Sequence, residues 1–325
     1  MQMSDDAKKF AQLASPSASA TVDLPLNPGS VARFDWKYIS ASESIERLAK
    51  QARELAWDPV TAVDWTIEVE FGSPNPGRFG AGLAHKHAPR RDFSDVKTQF
   101  QWHLQAWMLS QFLHGEQGAL IAAARIVEAA PTIEHKEFAA TQALDEARHV
   151  AVFRRYIHEK LQVAYPVDGE LERLMYEVVS DHRWDMVFLG MQVMLEGVAL
   201  GTFALARQIL FEPLARSLLD LVLRDEARHV AFGLVSLRDP YAGLSAHDRQ
   251  ERIDFVHHAI ELLAARFEMR ELWERVEVPA RTREAISNDP FVGLLRRRSF
   301  SRLRPILRGL GLWDEGIDAA LRGVS

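Results

Sequence analysis

The sequence has 325 residues, 47% of them hydrophobic and 26% charged, which is ample apolar material for a large core. A formal net charge of −6 argues against nucleic acid as the main partner. The absence of cysteine excludes disulfides, thiolate zinc sites and cysteine-ligated iron–sulfur clusters.

Taken in chain order, residues 1–30 read as a disordered or loosely docked tail. Met1 to Ala20 is polar and rich in small residues, so no secretory leader is expected and the cytoplasm is the default location. Ala41 to Trp57 has helical spacing, with Ile45, Leu48, Ala49 and Ala52 on one face; Ser40 and Glu43 would form its capping box. Residues 58–92 are irregular, punctuated by Pro59, Pro74, Pro76, Gly77, Gly80, Gly82 and Pro89. This segment would cover one end of the core or line an entrance. Ser94 is placed to cap a long helix to about Ala129, and Pro131 breaks it. Thr132 is placed to cap the next helix, to about Tyr165. Pro166, Asp168 and Gly169 form a loop. A helix from about Glu170, interrupted near Ser180–Asp181, continues to about Phe211. Pro213 marks a turn, and a further helix runs to about Leu237, where Asp239-Pro240 ends it. Ser245 starts a helix to about Trp273, and short helices separated by Pro279, Pro290 and Pro305 complete the chain. No strand pattern emerges. The expected architecture is all-α: a tail (1–30), an N-terminal helix and covering segment (31–92), a four-helix bundle (93–240) and C-terminal helices packed on it (241–325).

Met186 to Ala206 is long enough to cross a bilayer and carries one charge, Glu196. Its three glycines, and the place of Glu196 in the repeat described next, favour a helix buried inside a soluble protein, with no membrane span.

The heptapeptide Asp145-Glu146-Ala147-Arg148-His149-Val150-Ala151 recurs letter for letter at Asp225-Glu226-Ala227-Arg228-His229-Val230-Ala231. Glu116 stands 30 residues before Glu146, and Glu196 stands 30 before Glu226. The midpoint of the first pair is Pro131 and that of the second falls two residues short of Pro213. If each pair of helices folds back at its proline, both ligand groups sit roughly 20 Å from the turn at a rise of about 1.5 Å per residue. All six side chains then share one height. Glu-x-x-His places both side chains on one helix face. One Glu from each of two helices and Glu-x-x-His from each of the other two can hold two metals inside a bundle. Four buried carboxylates would repel one another strongly, and two divalent ions balance them with both histidines neutral. Oxygen and imidazole donors suit iron, manganese or zinc. Asp145 and Asp225 are expected to hold the imidazoles crosswise, Asp225 on His149 and Asp145 on His229, with Arg148 and Arg228 neutralising them.

This pattern resembles the ferritin-like di-iron carboxylate superfamily. The Asp-Glu-x-Arg-His form is similar to that of bacterial multicomponent monooxygenases, ribonucleotide reductase small subunits and their ligand-binding oxidase relatives. The resemblance covers Ser94 to Leu237. It implies Glu116, Glu146 and His149 on one iron, Glu196, Glu226 and His229 on the other, O2 activation at a reduced Fe/Fe or Mn/Fe pair, and a homodimer. The tyrosine that radical-generating subunits carry one turn beyond the first metal histidine is Phe153 here. The extra histidine of N-oxygenases is Val222.

Near the ligands, Phe112, Leu109, Leu189, Leu200, Phe203 and Phe153 are apolar, Gln142 and Gln192 precede two ligand carboxylates by four positions, and Ala119, Gly118, Gly197, Gly201 and Gly233 are small. Phe112, Gln142, Phe153, Gln192, Leu200 and Phe203 are the candidate pocket residues. The small residues either leave a cavity or let helices approach closely. The expected activity is O2-dependent oxidation of a small, apolar organic substrate, with electrons from a separate reductase or ferredoxin. The alternatives are a ferroxidase or peroxide-scavenging protein and a metal-free scaffold. The run Arg296, Arg297, Arg298, Arg302, Arg304 and Arg308 would be a solvated face over Leu303, Ile306 and Leu307, or a docking site for an acidic partner.

Overall fold

Four helical segments carry the repeat. In the computed structural model they are α2 (Phe93–Ala129), α3 (Ile133–Arg155), α6 (Glu196–Ile209) and α7 (Pro213–Ala242). The structure describes residues 32–33, 35, 42–71, 93–209, 212–276 and 279–323, with backbone only at 93–98, 209 and 291. The expected tail, the Ser40 cap and the glycine-rich part of the covering segment lie outside these residues. Among the described residues there is no strand, as the sequence led us to expect.

The turn between α2 and α3 falls at 130–132, around Pro131. Thr132 takes the extended N-cap conformation, yet its hydroxyl meets His135 Nδ1 at 2.6 Å rather than a backbone N–H. The orphan donors and acceptors at this turn are satisfied from elsewhere. Ile133 N donates to Asp35 Oδ2 (3.1 Å), and Lys136 Nζ donates to the carbonyls of Val127 and Glu128 at 2.7 and 2.9 Å. At the second turn, Pro213 takes the first helical position, where its missing N–H is no loss. Glu212 accepts from the N–H groups of Leu214 and Ala215.

The remaining elements are α1 (Glu43–Glu54), α4 (Gly169–Ser180), α5 (Trp184–Phe188), α8 (Ala246–Ala265), α9 (Arg270–Arg275), α10 (Ala280–Ser287), α11 (Pro290–Phe300), α12 (Leu303–Gly309) and α13 (Glu315–Gly323). The N-cap of α1 is Ser42, which accepts from Ile45 N. Its buried face, Ile45, Ala49 and Ala52, lies across α3 and α7. Residues 58–71 cover one end of the bundle, with Val63 buried and Trp65 beneath Arg155. They line neither cavity described below.

Several boundaries differ from expectation. Wide π turns, Tyr156–Leu161 and Leu189–Leu195, follow α3 and precede α6. The second sets the direction from which Glu196 enters the core, a common use of such turns. Helix α7 runs through Pro240 to Ala242. The proline falls in the last turn, where it disrupts little; Tyr241 beyond it is fully buried and its carbonyl accepts from Arg249 Nη2. The helix begun at Ser245 stops at Ala265, passes through a 3-10 turn, Arg266–Glu268, and breaks at Met269, whose φ is 51°.

The stretch that could cross a bilayer by length and composition, Trp184–Gln208, has 83% of its most apolar window buried inside the bundle. Helix α11 crosses α6 at Gly201, where an added Cβ would stand 2.3 Å from the Ser299 carbonyl oxygen. Gly118 and Gly233 are likewise filled by Met175 and Gln192. These glycines serve close packing. Gly201→Leu is expected to lower stability by about 1–3 kcal/mol, the usual range for overpacking, read as a lower urea midpoint; an unchanged midpoint would show that α11 does not sit there. In the arginine run, Leu303, Ile306 and Leu307 are buried, and Arg304 and Arg308 lie over Trp313.

Candidate metal centre

The hairpins bring six side chains to one level of the bundle. Glu116, Glu146, His149, Glu196, Glu226 and His229 are at most 4% exposed. Two overlapping groups form, each with its donor atoms within 4.8 Å of one another: Glu116, Glu146, His149 and Glu226, and Glu146, Glu196 and His229. His149 Nδ1 lies 3.1 Å from Glu116 Oε2, 3.1 Å from Glu146 Oε2 and 3.3 Å from Glu226 Oε1. His229 Nδ1 lies 3.1 Å from Glu146 Oε1 and 3.7 Å from Glu226 Oε1. Both Glu146 and Glu226 therefore stand between the imidazoles. The division into two separate triads, three residues to each ion, does not describe this geometry: Glu146 is common to both groups, and Glu226 falls with Glu116 and His149.

The other face of each imidazole is held crosswise. Asp225 Oδ2 is 3.1 Å from His149 Nε2, and Asp145 Oδ2 is 3.1 Å from His229 Nε2. Arg148 donates to Asp145, and Arg228 donates to Asp225, reaching Asp145 as well at 3.5 Å. With Nε2–H donated to an aspartate, the Nδ1 lone pair faces the centre.

Trp57, which the sequence did not single out, completes this shell. Its Nε1–H donates to Asp225 Oδ2 at 2.7 Å, and its ring lies at 19° to His149 with centroids 6.2 Å apart. It reaches the site because α1 lies across α3 and α7. Burial pushes the Asp225 carboxyl up, but His149, Trp57 and Arg228 outweigh it and hold it down at about 2. Trp57→Phe should leave the fold intact and weaken metal binding roughly tenfold, the low end for groups that orient a ligand from behind. Competition against a chelator would measure this, and unchanged affinity would show that Asp225 needs no second donor.

The electrostatics favour cations. Burial raises Glu116 and Glu196 well above the carboxylate range, and neighbouring carboxylates add to it. Glu146 is as deeply buried, yet the two imidazoles hold it well below that range. Burial pulls both histidines down, and the facing carboxylates outweigh it and hold them well above their ordinary value. Glu196 Oε2, Glu226 Oε1 and His229 Nδ1 are buried with no hydrogen-bond partner. Four carboxylates, two imidazoles and unpartnered lone pairs facing one another fit a pair of divalent cations.

Gln142 donates to Glu196 Oε1 (2.8 Å) and Glu146 Oε1 (3.2 Å), and Gln192 donates to Gln142 (3.4 Å). These glutamines line neither of the two cavities described below. On the opposite side a cavity of about 70 Å³ touches Glu116, Glu196 and Glu226, walled by Phe112, Phe203, Gly115 and Ala119. Phe153 supports it from behind, with ring centroids 6.0 Å from Phe112 and 6.1 Å from Phe203. Leu200 is half-buried, packs against the core and lines neither cavity. Gly115, which has nothing within 4 Å of an added Cβ, Gln111, Thr202 and Arg266 are among the lining residues that sequence spacing missed.

No family model matches this sequence, and no curated protein does. Solved structures do match. A glycine-to-leucine variant of an R2-like ligand-binding oxidase, aerobically reconstituted with an Fe/Fe cofactor, superposes with a TM-score of 0.57 at 16% identity, over 83% of this chain and 93% of that one. The same variant anaerobically reconstituted with Mn/Fe gives 0.50 over the same shares. The chain has the ferritin-like fold. At 16% identity the likeness is one of fold, and the chemistry rests on the ferritin-like bundle's own residues.

Proposed function

We propose that this ferritin-like protein is an O2-dependent oxidase or oxygenase acting on a small organic molecule. The observation that carries the reading is the cavity at Glu116, Glu196 and Glu226, whose remaining walls are mostly apolar, with Gln111, Thr202 and Arg266 as their polar members. A ferroxidase would need a polar path at that place. When bound, two iron ions, or a manganese and an iron, supply the redox chemistry with O2. Glu116, Glu146, Glu196, Glu226, His149 and His229 bind the metals. Asp145 and Asp225 keep the imidazole proton on Nε2, and Gln142 fixes the Glu196 carboxylate. Phe112 and Phe203 keep water from the open side. The sequence carries no flavin, nicotinamide or iron–sulfur motif, so the electrons come from a separate donor protein.

Anaerobic Fe(II) loading followed by O2 consumption tests this. About two irons per chain and uptake of O2 by the loaded, reduced protein are expected. Less than about half an iron per chain would make the repeat architectural. Two irons without O2 uptake would exclude the oxidase reading while keeping the metal site.

A further inference from the structure

A second, larger cavity of about 120 Å³ lies between the bundle and the C-terminal helices, walled by residues such as Trp107, Leu263, Met269 and Leu295. It shares Gln111, Phe112, Val198, Thr202 and Arg266 with the cavity at the metal centre, so the two meet at these side chains. Among the described residues, Arg266 is the one basic residue lining either of them. Two carboxylates act on its charge, Asp168 and Glu271; Asp168 approaches Nε at 3.7 Å, an ion-pair distance beyond hydrogen-bond reach. Arg266 Nε is itself buried with no hydrogen-bond partner. Asp168 is meanwhile engaged as the cap of α4, accepting from Leu171 N at 2.9 Å. Ser299, fully buried on the wall of the larger cavity, also has an unpartnered Oγ. The turn that carries Arg266 ends at Met269 in the left-handed region. A side chain other than glycine or asparagine is seldom held there, and such strain gathers at functional sites. The larger cavity is close to the roughly 150 Å³ that accommodates a benzene ring.

We propose that Arg266 is an anion-recognition site for the substrate, which is a small organic carboxylate: its carboxylate pairs with the Arg266 guanidinium where the two cavities meet, and its apolar body, about the size of one ring or a six-carbon chain, lies in the cavities. Arginine's planar fork matches a carboxylate bidentately, and apolar walls strengthen the pair. Naming this ligand a substrate rests on the oxidase reading above; the binding site itself does not.

Isothermal titration of the metal-free and the iron-loaded protein with phenylacetate and hexanoate, against phenylacetamide and hexanamide, tests the proposal. The acids should bind in both forms, roughly tenfold or more tighter than the amides, as expected for a hydrogen bond to a charged group. Arg266→Gln should remove that preference, and Arg266→Lys should keep part of it. Equal binding of acids and amides by the unaltered protein overturns the proposal without any variant. So does acid binding that appears only with iron and survives Arg266→Gln, since the carboxylate would then sit on the metals. Failure of iron loading or O2 uptake would sink the oxidase reading and leave the acid–amide comparison standing.

Discussion

Glu146→Ala is expected to lose both metals, whereas Glu116→Ala and Glu196→Ala should each lose about one. The difference follows from geometry. Glu146 belongs to both donor groups, with one oxygen toward His149 and the other toward His229. Glu116 and Glu196 each belong to one. Removing Glu146 takes a donor from each ion and leaves two imidazoles facing an incomplete carboxylate set. Glu226 belongs to one group only, so Glu226→Ala should likewise lose about one metal, although its Oε1 lies 3.3 Å from His149 Nδ1 and 3.7 Å from His229 Nδ1. Metal analysis after anaerobic loading reads the outcome directly. Loss of one metal from every variant would mean that the carboxylates act as separate pairs.

The second large effect concerns the metal-free protein. Glu116 and Glu196 have folded-state pKa values raised well above the ordinary carboxylate value by burial. Protonated, they sit in the core without penalty; ionised, they do not. Their contribution is therefore intact below the ordinary carboxylate pKa and is lost as pH rises through the raised value. His149 and His229 are also raised, so their contribution is present below the ordinary imidazole pKa and lost as pH rises. Glu146, which is lowered, works in the opposite sense, and its contribution is lost only in acid. As pH rises from the ordinary carboxylate pKa through and above the ordinary imidazole pKa, the metal-free protein should lose stability, while the loaded protein changes little, because cations replace protons. Glu196→Gln should stabilise the metal-free form at the pH where Glu196 would otherwise ionise, because the amide has no charge to bury, and reduce metal content. Thermal melts across that pH range decide it. A metal-free melting temperature that rises with pH would reverse the assigned directions.

The bundle was legible because its constraints are local and repeated. Two copies of one heptapeptide, each with a glutamate at the same separation and a proline near the midpoint, leave little freedom in how the hairpins fold. The crosswise aspartates followed from the same symmetry. The grouping of the donor atoms, with Glu146 common to both groups, did not, because side chains that share a level need not fall into equal sets. Nor did the departures from symmetry. Trp57 lies on a segment outside the repeat, and its hydrogen bond to Asp225 depends on how α1 packs across α3 and α7. Gln142 and Gln192 precede their carboxylates at pocket-like spacing, yet Gln142 hydrogen-bonds Glu146 and Glu196, and Gln192 bonds to Gln142; their counterparts four positions before the other two glutamates, Val222 and Phe112, are apolar. Arg266 reads in sequence as one more cation near a helix end. Its meaning comes from a 3-10 turn and from the packing of distant segments, which no local pattern encodes.

The crossing of α11 over α6 at Gly201 has a further consequence. The outer wall of the larger cavity comes from residues after the repeat, while every metal-facing donor comes from within it. On the oxidase reading proposed above, substitutions at Met269, Ile286 or Leu295, which line the larger cavity alone, would reshape what is admitted while every donor stays in place, so selectivity would be edited on a stretch of polypeptide separate from the donors.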